Sequence, residues 1–216
     1  MTLIAVVGLA REARIIARPD VEVVIGGGQS GALAAKLEAA FSDEITGVLS
    51  FGLCGALDLE LKAGDLVIAS GVAVGGETLA ADQKWAAGLG AGMARTRLFA
   101  ASDTVVATPD AKAMLHAATS AAAVDMESGP AAAFAARHGL PFAAVRAVSD
   151  SAAAGLPRAA IAGFRADGGV DVLAVLLALA RAPWELPALL RTARDVEAGF
   201  RTLRRFAWMA ELDSPA

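Results

Sequence analysis

Short apolar runs alternate with helix-length segments over most of this 216-residue chain. The runs Leu3–Val7, Val21–Ile25, Thr46–Phe51 and Leu66–Ser70 predict strands, because each is short, apolar and bounded by glycine, proline or charged residues. A helix is predicted between the second and third strands, ending near Phe41. This alternation is typical of an α/β domain with a mainly parallel core sheet.

The rest of the first 120 residues gives weaker patterns. Gly8–Ala13 predicts a turn after the first strand. From residue 71 to residue 92 glycine is frequent and periodicity is poor, which predicts loops over the sheet. Arg97–Ala101 predicts another strand, and Asp110–Ala118 predicts a short helix.

A strand–helix–strand pattern occupies the centre of the chain. The apolar run Ala121–Met126 leads to Glu127, and a helix begins at Ser128–Pro130, where the proline suits the first turn. Gly139 can end this helix in the left-handed conformation. The second run, Phe142–Val148, is followed by Ser149 and Asp150. Such a unit predicts two parallel strands, with Glu127 and Asp150 at the strand ends where ligands bind in such sheets.

The C-terminal part of the chain is helical by pattern. Val170–Arg181 predicts an apolar helix, Pro183–Pro187 interrupts it, and Ala188–Met209 predicts a long amphipathic helix. The apolar stripe of that long helix is spaced by threes and fours: Leu189, Ala193, Val196, Phe200, Leu203 and Ala207. We therefore divide the chain into a domain of residues 1–164 and a C-terminal helical extension of residues 165–216 that packs on it.

Composition narrows the class of protein. Hydrophobic residues are 56% of the chain and charged residues 19%, so we expect a folded globular protein. The net charge of −4 gives no reason to expect nucleic-acid binding. One cysteine and two histidines leave little material for a metal site, and no metal or other cofactor is predicted. The apolar N-terminus lacks a preceding basic segment, so we expect a buried strand in a cytoplasmic protein.

The glycine-rich segment after the second strand fits a phosphate-binding pattern in part. Gly26, Gly28 and Gly31 match the spacing G-x-G-x-x-G. A dinucleotide site would need a carboxylate about twenty residues later, where Phe51 and Gly52 stand instead. A tight turn and an anion cradle made of backbone N–H groups both remain open.

The central segment also carries a family resemblance. Asp125-Met126-Glu127, followed by Val145–Asp150, resembles the superfamily of nucleoside phosphorylases and methylthioadenosine/adenosylhomocysteine nucleosidases, over roughly Leu3–Ala153. Arg165–Arg194 is similar to the hopanoid-associated phosphorylases. The resemblance implies a three-layer domain with a mixed, mainly parallel central sheet, and a homo-oligomer.

The same resemblance implies a reaction. It is cleavage of the N-glycosidic bond of a 5′-substituted adenine nucleoside, with adenosylhopane as the substrate that the subgroup suggests. Water or phosphate would attack C1′ of the ribose, and adenine would be released. A methylthioadenosine/adenosylhomocysteine nucleosidase is the nearest alternative. A non-catalytic, membrane-peripheral nucleoside-binding module and a dinucleotide-dependent oxidoreductase are the others.

Two carboxylates receive roles from this resemblance. Asp150 would donate a proton to N7 of the leaving purine, which requires its pKa to be raised by an apolar surround. Glu127 would accept hydrogen bonds from the ribose 2′ and 3′ hydroxyls, and Met126 would pack against the ribose. Without the resemblance, Asp150 also fits a helix N-cap and Glu127 a first-turn glutamate favoured by the helix dipole.

The nucleophile site is less well matched. In the nucleosidases a glutamate after the first strand activates water, and an ungapped match puts that position on Ala13 rather than Glu12. A small shift assigns the role to Glu12. For a phosphorylase, the resemblance implies phosphate at Gly26, Gly27 and Gly28.

The remaining substrate contacts follow from the same resemblance. Cys54 and Gly55 lie in a Gly-Leu-Cys-Gly run that corresponds to Gly-Ser-Ala-Gly in the nucleosidases, with Leu53 in the place of the serine. Val105 and Val106 would frame the base, and Ser149 adjoins the proton donor. The tail, basic and carrying Trp184 and Trp208, is compatible with packing on the domain, on a partner subunit or on a membrane surface.

Overall fold

The structure is a computed structural model that describes residues 2–90, 94–163, 165, 167–210 and 212. Its strands are β1 (Thr2–Val7), β2 (Val21–Ile25), β3 (Ile45–Ala56), β4 (Leu66–Val74), β5 (Glu77–Ala80), β6 (Arg95–Ala101), β7 (Ala123–Asp125) and β8 (Phe142–Asp150). Its helices are α1 (Ala10–Ile16), α2 (Ser30–Ala40), α3 (Gln83–Gly90), α4 (Pro109–Thr119), α5 (Ser128–His138), α6 (Arg158–Ala162), α7 (Val172–Arg181) and α8 (Leu186–Met209). A 3-10 turn at Pro183–Glu185 separates the last two helices.

One mixed sheet contains all of these strands, in the order β2-β1-β3-β7-β6-β4-β5. Strand β8 leaves this path because it pairs with both β3 and β4. The strands β3, β7, β6, β4 and β8 therefore close into a ring, and β1 and β2 extend the sheet beyond it. β3 belongs to both parts: its first half pairs with β1 and its end pairs with β7.

The predicted parallel unit around the two carboxylates is wrong in its strand directions. β8 runs parallel to β3, whereas β7 runs antiparallel to β3, and β3 lies between them. β7 and β8 are thus antiparallel to each other. The apolar runs showed that both strands are buried, but burial carries no information about strand direction. The two strand ends still meet, because both lie beside the carboxyl-terminal end of β3.

Alternate residues of β1 face two separate apolar layers. Leu3, Ala5 and Val7 belong to the apolar cluster that contains residues of α3 and α8, whereas Ile4 and Val6 belong to the cluster that contains residues of α2 and α5. Side chains alternate between the faces of a strand, so a continuous apolar run such as β1 requires cover on both faces. The result is the three-layer arrangement expected from the sequence.

Helix α8 covers one face of the sheet through the C-terminal half of the predicted apolar stripe, whereas Ala193 in the N-terminal half is exposed. Phe200, Leu203 and Ala207 are buried there, together with Phe206, whose ring stacks on that of Phe51 at 6.1 Å. Arg11 of α1 lies over the Phe200 ring at 3.9 Å. Each buried side chain of this size contributes roughly 1.5–3 kcal/mol, so α8 is part of the core. The division at residue 165 stays a prediction, and residues 213–216 of the extension lie outside the described residues.

Four elements of the described chain escaped the sequence patterns: α1, β5, α3 and α6. The region predicted as loops contains the end of β4, β5 and α3, and its residues 91 and 92 lie outside the described residues. β4 and β5 form a hairpin whose turn uses positive φ angles of 59° at Gly75 and 92° at Gly76, a glycine-favouring geometry. The segment Gly8–Ala13, predicted as a turn, contains the first part of α1.

Helix α7 differs from the other long helices because it buries none of its residues. Its exposed apolar side chains are Val172, Leu173, Leu176 and Leu177. No single helix within the described residues is both long and apolar enough to cross a membrane. The bent pair formed by α7 and residues 183–209, with an angle of 114°, passes the length and composition criteria only when taken together.

Candidate functional site

The last part of β3 contains the residues Gly52-Leu53-Cys54-Gly55. This segment contacts Glu12 and Asp150, the two predicted catalytic carboxylates, or a residue next to them. On one side the N–H of Leu53 donates to Glu12, and the carbonyl of Leu53 accepts from Arg146. On the other side the carbonyl oxygen of Cys54 lies 3.0 Å from Oγ of Ser149, the neighbour of Asp150. β3 can do this because β7 and β8 flank its end.

Glu12 is held by backbone N–H groups at the start of α1. Its Oε2 accepts from the N–H of Gly8 and of Leu9, both at 2.8 Å, and its Oε1 accepts from Leu53 N–H at 2.8 Å. Burial raises the pKa of Glu12, and Arg146 and these hydrogen bonds oppose that rise. Gly52 is required for this approach, because a Cβ there would lie 2.6 Å from the carboxyl carbon of Glu12.

Arg146 is the central cation of the site and is fully buried in β8. Its Nη2 donates to Asp125 Oδ1 at 3.0 Å and to Ser50 Oγ at 2.6 Å, and its Nη1 lies 3.6 Å from Glu127 Oε2. Asp125 in turn accepts from the N–H groups of Glu127 and Ser128. Arg146 therefore links the end of β7 to the start of α5 and fixes the backbone of Glu127.

Glu127 lies against the turns that follow β1 and β2. A Cβ on Gly8 would lie 2.9 Å from its Oε1, and a Cβ on Gly26 would lie 3.1 Å from its Cγ. Burial, first, and then the charges of Asp125 and Glu12 raise the pKa of Glu127 to about 7, while Arg146 lowers it. Glu127 is thus a buried carboxyl that titrates near neutral pH.

The glycine loop after β2 has acceptors within the chain for the N–H groups that were assigned to phosphate. Gly26 N–H donates to the carbonyl of Val7 at 2.8 Å, and Gly27 N–H donates to that of Gly8 at 3.2 Å. The Gly28 N–H lies beside the Glu127 carboxylate and lowers its pKa. In this structure, the anionic group beside the glycine loop is the carboxylate of Glu127.

Asp150 has polar partners rather than the apolar surround expected from the sequence. Its Oδ2 is paired with the ammonium of Lys112, which is fully buried on α4. Its Oδ1 accepts from Ser149 Oγ at 2.7 Å, and that hydroxyl also lies 3.0 Å from the Cys54 carbonyl oxygen. The apolar residues of β8 precede Asp150 and are buried, but the side-chain partners of its carboxylate are Lys112 and Ser149. The expectation failed because Lys112 comes from a distant helix.

The other predicted substrate residues surround these groups. Gly55 lies beside Asp150, since a Cβ there would be 3.1 Å from its Oδ2. Met126 lies near Gly28, partly buried. Val106 packs on the apolar cluster that contains Val124, whereas Val105 is 36% exposed.

Cys54 is buried, and burial raises its pKa well above the usual value for a thiol. It therefore behaves as an apolar side chain rather than a reactive thiolate. Leu53, which takes the place of the family's serine, points its side chain to α8, because a Cβ on Gly199 would lie 2.6 Å from Leu53 Cδ2. In the part of the chain that the structure describes, no group of three or more metal-ligating side chains is assembled.

Sequence reasoning missed Lys112 and Arg146. Arg146 left a signal, because it is the one charged residue inside the apolar run Phe142–Val148, and an arginine buried in a strand needs a carboxylate partner. Lys112 left none, since a lysine in a short helix normally faces solvent.

Comparisons with known proteins agree with this architecture. The family model described as "Phosphorylase superfamily" matches residues 4–181. A comparison with curated protein sequences finds no significant match.

Three similar solved structures cover nearly the whole chain. One is a 5′-methylthioadenosine/S-adenosylhomocysteine nucleosidase from Colwellia psychrerythraea in complex with adenine, with 17% identity over 100% of this chain and 98% of that chain and a TM-score of 0.68. A nucleosidase variant from Helicobacter pylori, with 5′-methylthioadenosine in its active site, has 15% identity over 95% and 97%, with a TM-score of 0.62. The futalosine hydrolase of Helicobacter pylori has 16% identity over 95% and 97%, with a TM-score of 0.61.

Proposed function

Since the chain belongs to the phosphorylase superfamily, we propose that it cleaves the N-glycosidic bond of a 5′-substituted adenine nucleoside and releases adenine. The observation that carries this proposal is the grouping of Glu12, Glu127 and Asp150 around the end of β3. Glu12 and Glu127 lie near Arg146, and Asp150 is paired with Lys112. Such a site can offer one carboxyl to the base of a nucleoside and the other two to its ribose and to the nucleophile.

Asp150 would act at the base. When the C1′–N9 bond breaks, its electron pair moves to the purine, and a proton on N7 neutralises the leaving group. Ser149 orients Asp150 through its hydrogen bond at 2.7 Å. Gly55 keeps space beside the carboxylate, and Cys54, Val105 and Val106 complete the proposed base site.

Glu127 would act at the ribose, with Met126 against the sugar. An ionised carboxylate accepts hydrogen bonds from two adjacent hydroxyls. Such contacts hold the sugar while positive charge develops at C1′, as in glycoside hydrolysis. Arg146 and the loop at Gly28 fix the position of this carboxylate.

Glu12 would activate the nucleophile, and we favour water over phosphate. Three backbone N–H groups hold its carboxylate, and burial raises its pKa, which makes it a stronger base. The amides of Gly26 and Gly27, part of the phosphate site proposed from the sequence, already have acceptors. Phosphorolysis would require those amides to exchange partners, and it remains the alternative that the assay below tests.

Adenine release tests this reaction. The substrates are adenosine, methylthioadenosine and adenosylhopane, each with and without phosphate, and the products are adenine and either free or 1-phosphorylated sugar. We expect phosphate-independent release of adenine and free sugar. Formation of the sugar 1-phosphate would establish phosphorolysis instead, and no release from any substrate would support a nucleoside-binding module.

The pKa of Glu127 predicts a pH dependence. The carboxyl is mostly protonated below about pH 7 and ionised above it, and only the ionised form accepts both sugar hydroxyls. We therefore expect kcat/KM to rise as pH increases through about 7. Glu127→Gln, which imitates the protonated form, should give a low kcat/KM and remove this rise. A rise that persists unchanged in the variant would assign it to another group.

The 5′ substituent decides between two substrates. We propose adenosylhopane because Arg165–Arg194 resembles the hopanoid-associated phosphorylases and because α7 in that segment exposes a leucine face. A methylthioadenosine/adenosylhomocysteine nucleosidase is the second candidate, favoured by the solved structures with this architecture. The ratio of kcat/KM for the two nucleosides distinguishes these functions.

Membrane contact through the proposed extension follows from the same leucine face. Leu173 and Leu177 are 65% and 48% exposed on α7, and burying apolar area of this kind in an interface is favourable. We expect the protein to float with anionic phospholipid vesicles, and Leu173→Gln/Leu177→Gln to reduce the bound fraction. The control is Leu59→Gln, which removes an 80% exposed leucine elsewhere. If a homo-oligomer covers this face instead, the wild-type protein should not bind vesicles, and the double substitution should lower its mass in solution.

A further inference from the structure

Lys112 has an unusual environment for a lysine. It is fully buried on α4, and its Nζ donates to the carbonyl oxygens of Ser151 at 2.8 Å and Ala154 at 2.9 Å, as well as to Asp150 Oδ2. A lysine ammonium has three N–H donors, whereas the neutral amine has two. Because the Lys112 nitrogen donates to three oxygen acceptors, it has three N–H groups and is the charged ammonium.

Burial of this ion pair is poorly explained by stability alone. Buried ion pairs contribute little stability, because desolvation offsets the attraction between the charges, and apolar replacements of similar volume are often as stable. The pair also lies where Asp150 meets the proposed base site, beside Gly55. The loop that supplies the two carbonyls follows directly after Asp150, so Lys112 fixes both the carboxylate and the backbone next to it.

We propose that Lys112 is a positioning residue for proton transfer from Asp150: it holds Oδ2 as an acceptor and leaves Oδ1 as the atom that carries the proton. This inference rests on the proposed function. Before cleavage Oδ1 takes a proton from solvent. During cleavage the electron pair of the C1′–N9 bond passes to the purine, that proton passes from Oδ1 to N7, and adenine leaves neutral. The negative charge appears on Asp150 beside the Lys112 ammonium, which stabilises it.

Ser149 completes this arrangement. Its Oγ lies 2.7 Å from Asp150 Oδ1 and 3.0 Å from the Cys54 carbonyl oxygen. With the proton on Oδ1, the hydroxyl can accept from Asp150 and donate to Cys54. After transfer, the same hydroxyl can donate to the carboxylate. One rotation of the Ser149 hydroxyl thus serves both protonation states, while Lys112 stays in place.

The test compares two leaving groups. Lys112→Met removes the charge and keeps most of the side-chain volume. For methylthioadenosine we expect kcat to fall about 10²-fold or more, with KM within about threefold, because acid catalysis is worth 10²–10⁴-fold. For 4-nitrophenyl 5-methylthioriboside, whose leaving group needs no proton, we expect kcat within about threefold of wild type. Equal losses with both substrates, or no loss with either, would overturn the inference.

Two further variants make the result decisive. If Lys112→Met does not fold, Lys112→Gln, which keeps two donors without the charge, replaces it and should show the same difference between the substrates. Lys84→Met on α3 removes an exposed lysine and should leave both rates unchanged. Wild-type release of adenine tests the proposed function separately, so its failure cannot be confused with a failed role for Lys112.

Discussion

Replacement of Asp150 by asparagine is expected to lower kcat for adenine release about 10³-fold, within the range for loss of a general acid. Asparagine has nearly the same shape: its carbonyl oxygen can accept from Lys112, and its NH2 group can donate to Ser149 Oγ, so both side-chain partners of Asp150 keep a hydrogen bond. It cannot deliver an acidic proton to N7. The variant should keep the shape of the nucleoside site and lose the chemical step, at a cost in stability because the buried Lys112 ammonium loses its counter-charge.

The measurement is single-turnover release of adenine, with equilibrium binding of methylthioadenosine measured in parallel. We expect binding within about threefold of wild type, because Asp150 acts in the transition state rather than in the ground state. Asp43→Asn is the matched control, since it makes the same change at an exposed position. A variant of Asp150 that keeps more than about a tenth of the wild-type kcat would remove Asp150 from the role of acid.

The sequence predicted the elements of this fold better than their connections. β2 has the predicted bounds, α5 begins at the predicted Ser128, and Gly139 ends α5 with φ of 63°. These features depend on local properties: apolar run length, a proline in the first turn and a glycine at the end. The direction of β7 depends instead on its pairing with β3, some 70 residues earlier in the chain, and no local pattern encodes it.

The candidate site shows the same division. Glu127 and Asp150 could be chosen because each follows an apolar run and because the family resemblance gives each of them a role. Their chemical environments could not be predicted, because Lys112 and Arg146 approach them from other parts of the chain. The environment of Glu127 raises its pKa, whereas Asp150 has a cation in direct contact. Tertiary contacts thus gave two similar carboxylates different properties.

Glu12 illustrates a third case, in which alignment and structure differ. An ungapped match to the nucleosidases reaches Ala13, yet the carboxylate beside Leu53 belongs to Glu12. A shift of one residue at the start of α1 turns a side chain by about 100°, given 3.6 residues per turn. The backbone N–H groups of Gly8 and Leu9 then determine which position faces the site, and sequence comparison alone has no access to them.

Arg146 is expected to be the most important single residue for stability. Arg146→Met should lower the free energy of unfolding by about 3–5 kcal/mol, as when one partner of a buried ion pair is removed. Asp125 and Glu127 would then remain buried without their cation. The pKa of Glu127 should rise further, because Arg146 opposes the effect of burial. Urea unfolding with a constant m-value measures the change.

A double variant separates charge from packing. Asp125→Asn keeps an oxygen that can accept from the N–H groups of Glu127 and Ser128 and removes the charge that Arg146 neutralises. Combined with Arg146→Met, it should recover about 1–2 kcal/mol of the loss. Arg137→Met, which breaks an exposed pair with Glu38, should cost less than about 1 kcal/mol. If Arg146→Met costs no more than Arg137→Met, the cluster of Arg146, Asp125 and Glu127 serves catalysis without stabilising the fold.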